Sequence, residues 1–82
     1  MSSKTFHVTI ARIDGPVFSG EARSLTVPGV KGEMTILANH TALVSPLANG
    51  TLTVVAADGT IATHPVLAGT MEVSDNQATV LL

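Results

Sequence analysis

An all-β domain, an antiparallel β-sandwich or flattened barrel, is what this sequence predicts, and three observations predict it. Apolar residues recur at every second position through most of the chain, which is the period of a strand with one buried face. The apolar runs are separated by short turn-forming clusters and not by helix-length segments, the pattern of antiparallel sheets packed face to face. Finally, 82 residues leave room for one domain, so residues 1–82 are read as a single unit. A chain of this size is expected to expose roughly 4,600 Å² when folded, which implies a thin core.

The elements follow in order. Phe6, Val8 and Ile10 alternate with His7, Thr9 and Ala11 as a first strand, closed by the turn Asp14-Gly15-Pro16. Leu25 and Val27 alternate with Ser24 and Thr26, and Pro28-Gly29 reads as the next reversal. Met34 and Ile36 against Glu33 and Thr35 form another strand; the helical turn conceivable at 38–42 is too short to count as an element. After Asn49-Gly50 come Leu52 and Val54 against Thr51 and Thr53. Asp58-Gly59, between Val54-Val55-Ala56-Ala57 and Thr60-Ile61-Ala62, predicts a hairpin with a two-residue type I′ turn. Met71 and Val73 alternate with Thr70 and Glu72, Ser74-Asp75-Asn76 turns the chain, and Ala78, Val80 and Leu82 complete a last strand. Leu37, Val55, Val66 and Leu81 fall opposite the regular apolar positions. Either they are rim or loop residues, or one outer face is covered by protein.

Composition excludes several classes of function. With 45% hydrophobic and 12% charged residues the chain lies far from the disordered range. Four Lys and Arg against six Asp and Glu, net charge −2, supply no field for phosphate backbones or anionic lipids, so nucleic acid is not an expected partner. Two Phe, no Tyr and no Trp leave nothing for bases or sugars to stack on. The absence of cysteine excludes disulfides, zinc thiolates and thiol nucleophiles and fits a reducing compartment. The segment Met1 to Val8 has no apolar leader core, and no stretch is long and apolar enough to span a bilayer, so neither export nor direct membrane insertion is expected.

No catalytic, cofactor or metal site is expected either. His7, His40 and His64 stand far apart, without the spacing of a metal motif. His7 and His64 read as polar-face strand residues and His40 as a loop residue. Ser45, His40 and Asp14 supply the letters of a hydrolytic triad, but no G-x-S-x-G elbow frames the serine. Gly29-Val30-Lys31-Gly32 lacks the rest of a phosphate-binding loop and is read as a turn. Asn39-His40-Thr41 and Asn49-Gly50-Thr51 match the glycosylation sequon by coincidence in a chain without an export signal. Glu21 with Glu33, or Glu33 with Glu72, is read as surface charge and not as a carboxylate dyad.

Certain strings are more specific. Val17-Phe18-Ser19-Gly20-Glu21-Ala22 precedes Leu25-Thr26-Val27-Pro28-Gly29; then follow Gly32-Glu33-Met34-Thr35-Ile36-Leu37-Ala38-Asn39-His40, Leu47-Ala48-Asn49-Gly50, and Ala68-Gly69-Thr70-Met71-Glu72-Val73 leading to Thr79-Val80-Leu81. In this order and spacing the chain, from Phe6 to Leu82, resembles the N-terminal β-sandwich domain of the epsilon subunit of rotary ATP synthases, equivalent to delta in mitochondria. The resemblance implies about ten strands and a non-catalytic, peripheral place in the central stalk, at the cytoplasmic face of the bacterial inner membrane. There the domain docks on the gamma subunit and on the c-ring and couples ion-driven rotation to ATP synthesis. It also implies one ring-facing edge made of the Gly-Glu loop and the loop ending in His, here Val30, Lys31, Gly32 and Glu33 with Asn39, His40 and Thr41. Glu33 is the expected acceptor for basic groups of a ring loop, and a hydrogen-bonding structural role is expected of His40.

The sequence departs from the family pattern at Thr35, Ala38, Thr41 and Ala42, where Gly, Pro, Ala and Pro are usual, so a less rigid loop is expected before His40. The family's C-terminal pair of helices, which inhibits ATP hydrolysis in many members, has no counterpart in these 82 residues. The alternative reading is a biotinyl or lipoyl carrier domain of similar size and class, which would attach its group to Lys31. The Met-Lys-Met or Asp-Lys-Ala setting of such a lysine is missing.

Overall fold

The computed structural model describes residues 4–82; Met1, Ser2 and Ser3, part of the segment read as lacking a leader, lie outside the described residues. Strand β1 (Phe6–Arg12) follows the predicted alternation, with Phe6, Val8 and Ile10 fully buried. Strand β2 (Gly15–Gly29) is 15 residues long and holds the fold together. Its first half pairs antiparallel with β1, from Arg12↔Gly15 to Phe6↔Ala22. Its second half pairs with β3 (Gly32–Leu37) on one edge and β5 (Gly50–Ala56) on the other. The transfer happens at a bulge, where Arg23 is the extra residue between Ala22↔Ala56 and Ser24↔Val55. A bulge bends its strand and raises the local twist, and here it carries β2 from one layer into the other.

The remaining strands are β4 (Leu43–Leu47), β6 (Ile61–Val66), β7 (Gly69–Ser74) and β8 (Gln77–Leu81). One layer runs β2–β1–β8–β7–β4 and the other β3–β2–β5–β6; the pair Gly29↔Leu47 joins β4 back to β2, so the sandwich is also a flattened barrel. The expected class therefore holds, with two corrections. There are eight strands among the described residues and not about ten, because residues 15–29 form one bent strand. In addition, β1 and β8 pair parallel, from His7↔Gln77 to Ala11↔Leu81, the exception to an antiparallel sheet. The core between the layers is made of Phe6, Val8, Ile10, Met71, Val73, Ala78 and Val80 from one side and Leu25, Val27, Ile36, Leu52, Val54 and Val66 from the other. The chain exposes 4894 Å², and its extents of 37 × 24 × 18 Å describe a slab, a shape with more surface than the globule assumed by the scaling law.

Turn chemistry differs from expectation in three places. Pro28-Gly29 does not reverse the chain: both lie in β2, and the reversal is Val30-Lys31, between the paired Gly29 and Gly32. The hairpin at Asp58-Gly59 exists, but Asp58 does not take positive φ; Gly59 alone does, at 90°. Gly59 N–H donates to Ala56 O and Ala56 N–H to Thr60 O, at 2.9 and 2.8 Å, the longer loop in which a turn is followed by one left-handed residue. The two-residue turn with positive φ at both positions is instead Asp75-Asn76, at 50° and 59°, between the paired Ser74 and Gln77. Val66, read as lying off the apolar face, is buried on the core side of β6; the interruption by Thr63-His64-Pro65 hid its register.

Thr60 N–H donates to Asp58 Oδ1 at 2.9 Å, and this bond holds the Asp58 carboxyl below its ordinary value. A depressed carboxylate stabilises the fold above its unfolded pKa and loses that contribution as pH falls through the folded one. Titration followed by NMR is expected to give Asp58 a midpoint below the ordinary aspartate value, with the Thr60 amide losing protection under acid. A midpoint at or above the ordinary aspartate value would refute the assignment.

Candidate functional site

The registers place the connections at two ends of the slab. The lower end gathers Ile13-Asp14 between β1 and β2, Val30-Lys31, Ala48-Asn49 between β4 and β5, and Leu67-Ala68 between β6 and β7. The upper end gathers the β3–β4 loop (38–42), the Asp58 hairpin and the Asp75-Asn76 turn. The seven residues expected to form one edge divide between them. Val30, Lys31, Gly32 and Glu33 are exposed at the lower end, and Asn39, His40 and Thr41 are exposed at the upper. They are the two ends of β3, separated by about 20 Å at ~3.3 Å per residue. The expectation of a single contiguous edge is therefore corrected, because a strand delivers its flanking loops to opposite ends.

Each half has its own support. At the lower end Val30 N–H donates to Pro46 O at 3.2 Å and Ala48 N–H to Pro28 O at 2.7 Å, which fixes the tip of the β2–β3 hairpin against β4. Between hairpin and β4 lies a groove of about 410 Å³, lined by residues 29–34 and 43–46. Gly29 has no room for a side chain, since a Cβ there would stand 2.6 Å from Gly32 O. At the same end of the slab, Ile13, Leu67 and Val30 are exposed apolar residues.

The upper half is organised by Asn76. Its Oδ1 accepts Asn39 N–H at 2.7 Å, its Nδ2 donates to Thr5 O at 3.0 Å, and its own carbonyl accepts His7 N–H at 3.2 Å. Asn39 itself has φ of 63°, and His40 Nδ1 lies 2.8 Å from Thr41 O, which it reaches as the donor. The loop is thus tied down by a side chain from the β7–β8 turn. Sequence reading missed Asn76, whose partners are remote in the chain.

No hydrolytic machinery assembles from the candidates. Asp14 is at the lower end and His40 at the upper, while Ser45 Oγ donates to the carbonyl of Pro46. Glu21 sits near the upper end and Glu33 at the lower, so they form no dyad. The structure does show a different string on the outer face of β1 and β2: Ser19 Oγ lies 3.4 Å from His7 Nε2, His7 Nδ1 lies 3.2 Å from Glu21 Oε2, and Thr5 Oγ1 donates to Glu21 Oε1 at 3.0 Å. These contacts lie across a flat, solvent-exposed ladder, where a pair contributes at most about 1 kcal/mol. His64, read as a polar-face residue, sits opposite buried Leu52 and is half-buried on the core side of the edge strand β6.

The two outer faces differ in charge. On the β3–β2–β5–β6 layer the registers align Leu37, Ser24, Val55 and Ile61 in one row and Thr35, Thr26, Thr53 and Thr63 in the next. Thr26 and Thr35 bond at 3.0 Å between their hydroxyls, and no charge falls in either row. Leu37 and Val55 signalled this face in the sequence; Ile61, 66% exposed, gave no such signal inside its hairpin.

Comparison with known proteins agrees with this architecture. The profile of the family described as ATP synthase, Delta/Epsilon chain, beta-sandwich domain matches residues 5–82. An ATP synthase epsilon chain of Bordetella petrii is 39% identical over 77 residues, covering 94% of this chain and 55% of the relative; that of Nitrobacter winogradskyi is 40% identical with 56% of its length covered. This chain therefore spans about half the length of these relatives. Among solved structures, a chain of the Euglena gracilis mitochondrial ATP synthase superposes with a TM-score of 0.88 at 24% identity, covering 99% of this chain and 52% of that one. A chain from the central stalk and c-ring structure of the Tetrahymena thermophila enzyme gives 0.78 at 16% identity, with 99% and 65% covered. These two likenesses establish the fold. Profile and sequence relatives together show that this chain belongs to the β-sandwich domain family of the ATP synthase delta and epsilon chains.

Proposed function

We propose that the chain is a non-catalytic central-stalk component of a proton-translocating rotary ATP synthase, docking on the gamma subunit and the c-ring to couple ion-driven rotation to ATP synthesis. It would be held peripherally at the cytoplasmic face of the bacterial inner membrane. The observation that carries this reading is the family match through residues 5–82, with bacterial relatives named ATP synthase epsilon chain at 39–40% identity. The separation of the candidate residues supports a division of labour. The tip from Val30 to Glu33 meets polar ring loops, Glu33 accepting charge-assisted hydrogen bonds. Asn39, His40 and Thr41, beside the uncharged row of Leu37, Val55 and Ile61, turn toward gamma.

Titration of this chain into gamma from the same organism, read by calorimetry and sizing chromatography, is expected to give a one-to-one complex; a folded domain that fails to bind refutes the stalk role. In the assembled enzyme, Glu33→Lys is expected to lower ATP-driven proton pumping while changing the stability of the free domain by no more than about 0.5 kcal/mol. Unchanged pumping would remove Glu33 from the ring contact.

A further inference from the structure

We propose that Asn49 is a site of spontaneous deamidation in the folded protein, converting this position to aspartate or isoaspartate. The chain has three asparagines, and their surroundings are unlike one another. Asn76 spends both ends of its carboxamide on Thr5 O and Asn39 N. Asn39 is followed by His40, whose side chain shields the next backbone nitrogen. Asn49 is exposed, sits at a bend between β4 and β5, makes no side-chain hydrogen bond among the described residues, and is followed by Gly50.

Packing fixes that glycine. A Cβ at position 50 would stand 2.7 Å from Pro28 Cβ and 3.1 Å from Pro28 Cγ, closer than carbon atoms approach, so the residue after Asn49 must present a bare backbone nitrogen. Gly50 pairs with Val66 as the last rung of the β5–β6 ladder, and terminal rungs open at low free energy. When that rung opens, the Gly50 nitrogen loses its proton and attacks Asn49 Cγ. A nitrogen–carbon bond forms, the Cγ–Nδ2 bond breaks, and ammonia leaves. Water then adds to either carbonyl of the cyclic imide, giving aspartate or isoaspartate. The balance is amide plus water to carboxylate plus ammonium, with no change of oxidation state. The product carries a new negative charge at the lower end, in the connection that runs past Pro28, and isoaspartate adds a methylene to the backbone where β5 begins.

The competing sites of the same chemistry are the Asp-Gly pairs Asp14-Gly15 and Asp58-Gly59, which isomerise without changing mass. An amide-to-acid mass gain therefore excludes the aspartates, and tandem fragmentation separates a gain at Asn49 from one at Asn39, Asn76 or Gln77. Folded protein would be incubated at neutral pH and 37 °C, cleaved with chymotrypsin and mapped by tandem mass spectrometry, with Asn49→Ser as control and a urea-unfolded sample in parallel. Conversion at Asn49 is expected to exceed that at Asn39 and Asn76 at least tenfold in the folded sample and to be absent from Asn49→Ser. Conversion of Asn49 only in urea would show that the rung stays closed and would overturn the proposal, as would equal conversion at all three positions. Because the readout is mass, it is independent of binding to gamma.

Discussion

Phe6→Ala is expected to leave the domain largely unfolded at 37 °C. Phe6 is 1% exposed, lies between the layers and pairs with Ala22 where β2 begins its passage between them. Truncating a buried phenylalanine costs about 3–5 kcal/mol through lost transfer energy and the cavity left behind. A chain of this length has roughly 4–12 kcal/mol in total at ~0.05–0.15 per residue. The loss is a large fraction of the whole, and a slab this thin has no second layer of core with which to refill the cavity. Urea denaturation should show the midpoint collapsing in Phe6→Ala and nearly unmoved in Ile61→Ser, whose side chain faces solvent. A Phe6→Ala midpoint shifted no further than that of Ile61→Ser would mean that the two layers are not held together where the structure puts their contact.

Gly29→Val should damage the barrel at its point of closure. Gly29 is buried and pairs with Gly32 across the hairpin and with Leu47 of β4. A Cβ there meets Gly32 O at 2.6 Å and Met34 Cε at 3.0 Å. The methionine terminus can swing aside, but the carbonyl cannot move without unpairing the hairpin. The cost is expected at about 1–3 kcal/mol or somewhat more, concentrated at the lower end. Hydrogen exchange localises it: the amides of Val30 and Ala48, bonded to Pro46 O and Pro28 O, should lose protection while Val8 and Val80 retain theirs. Persistent protection at Val30 and Ala48 would show that the hairpin tolerates the side chain.

The parts of the fold that sequence could supply are those with one period and one neighbour. Phe6, Val8 and Ile10 or Leu52 and Val54 announce a buried face without knowledge of what they pack against. The passage of β2 through a bulge at Arg23 leaves no such mark, since nothing in Glu21-Ala22-Arg23-Ser24 distinguishes a bulged strand from two strands, and the strand count suffered accordingly. Positive φ is equally hard to assign: Asp58-Gly59 looked like the tight turn, while Asp75-Asn76 took it because a strand of matched register stood on either side. For the candidate site, the residues were nameable from resemblance, but their division between opposite ends required the length and direction of β3, and the role of Asn76 required the whole topology.

The parallel pairing of β1 with β8 bears on how the chain reaches this state. Local hairpins such as β7–β8 form from near neighbours, but Asn76 and Thr5, bonded to one another, are 71 positions apart. Closing a loop of that length costs about 4 kcal/mol of chain entropy before any contact compensates for it, and topologies dominated by such pairings fold in milliseconds to seconds and not in microseconds. During synthesis, β1 emerges before the other strands of the domain and waits for residues 77–81, its segment from Phe6 to Ile10 lacking the strand that will pair with one of its edges. A nascent chain arrested before Gln77 is therefore expected to present an unpaired, aggregation-prone strand. Completion of the domain becomes a late, nearly all-or-none event, timed by the arrival of residues 77–81.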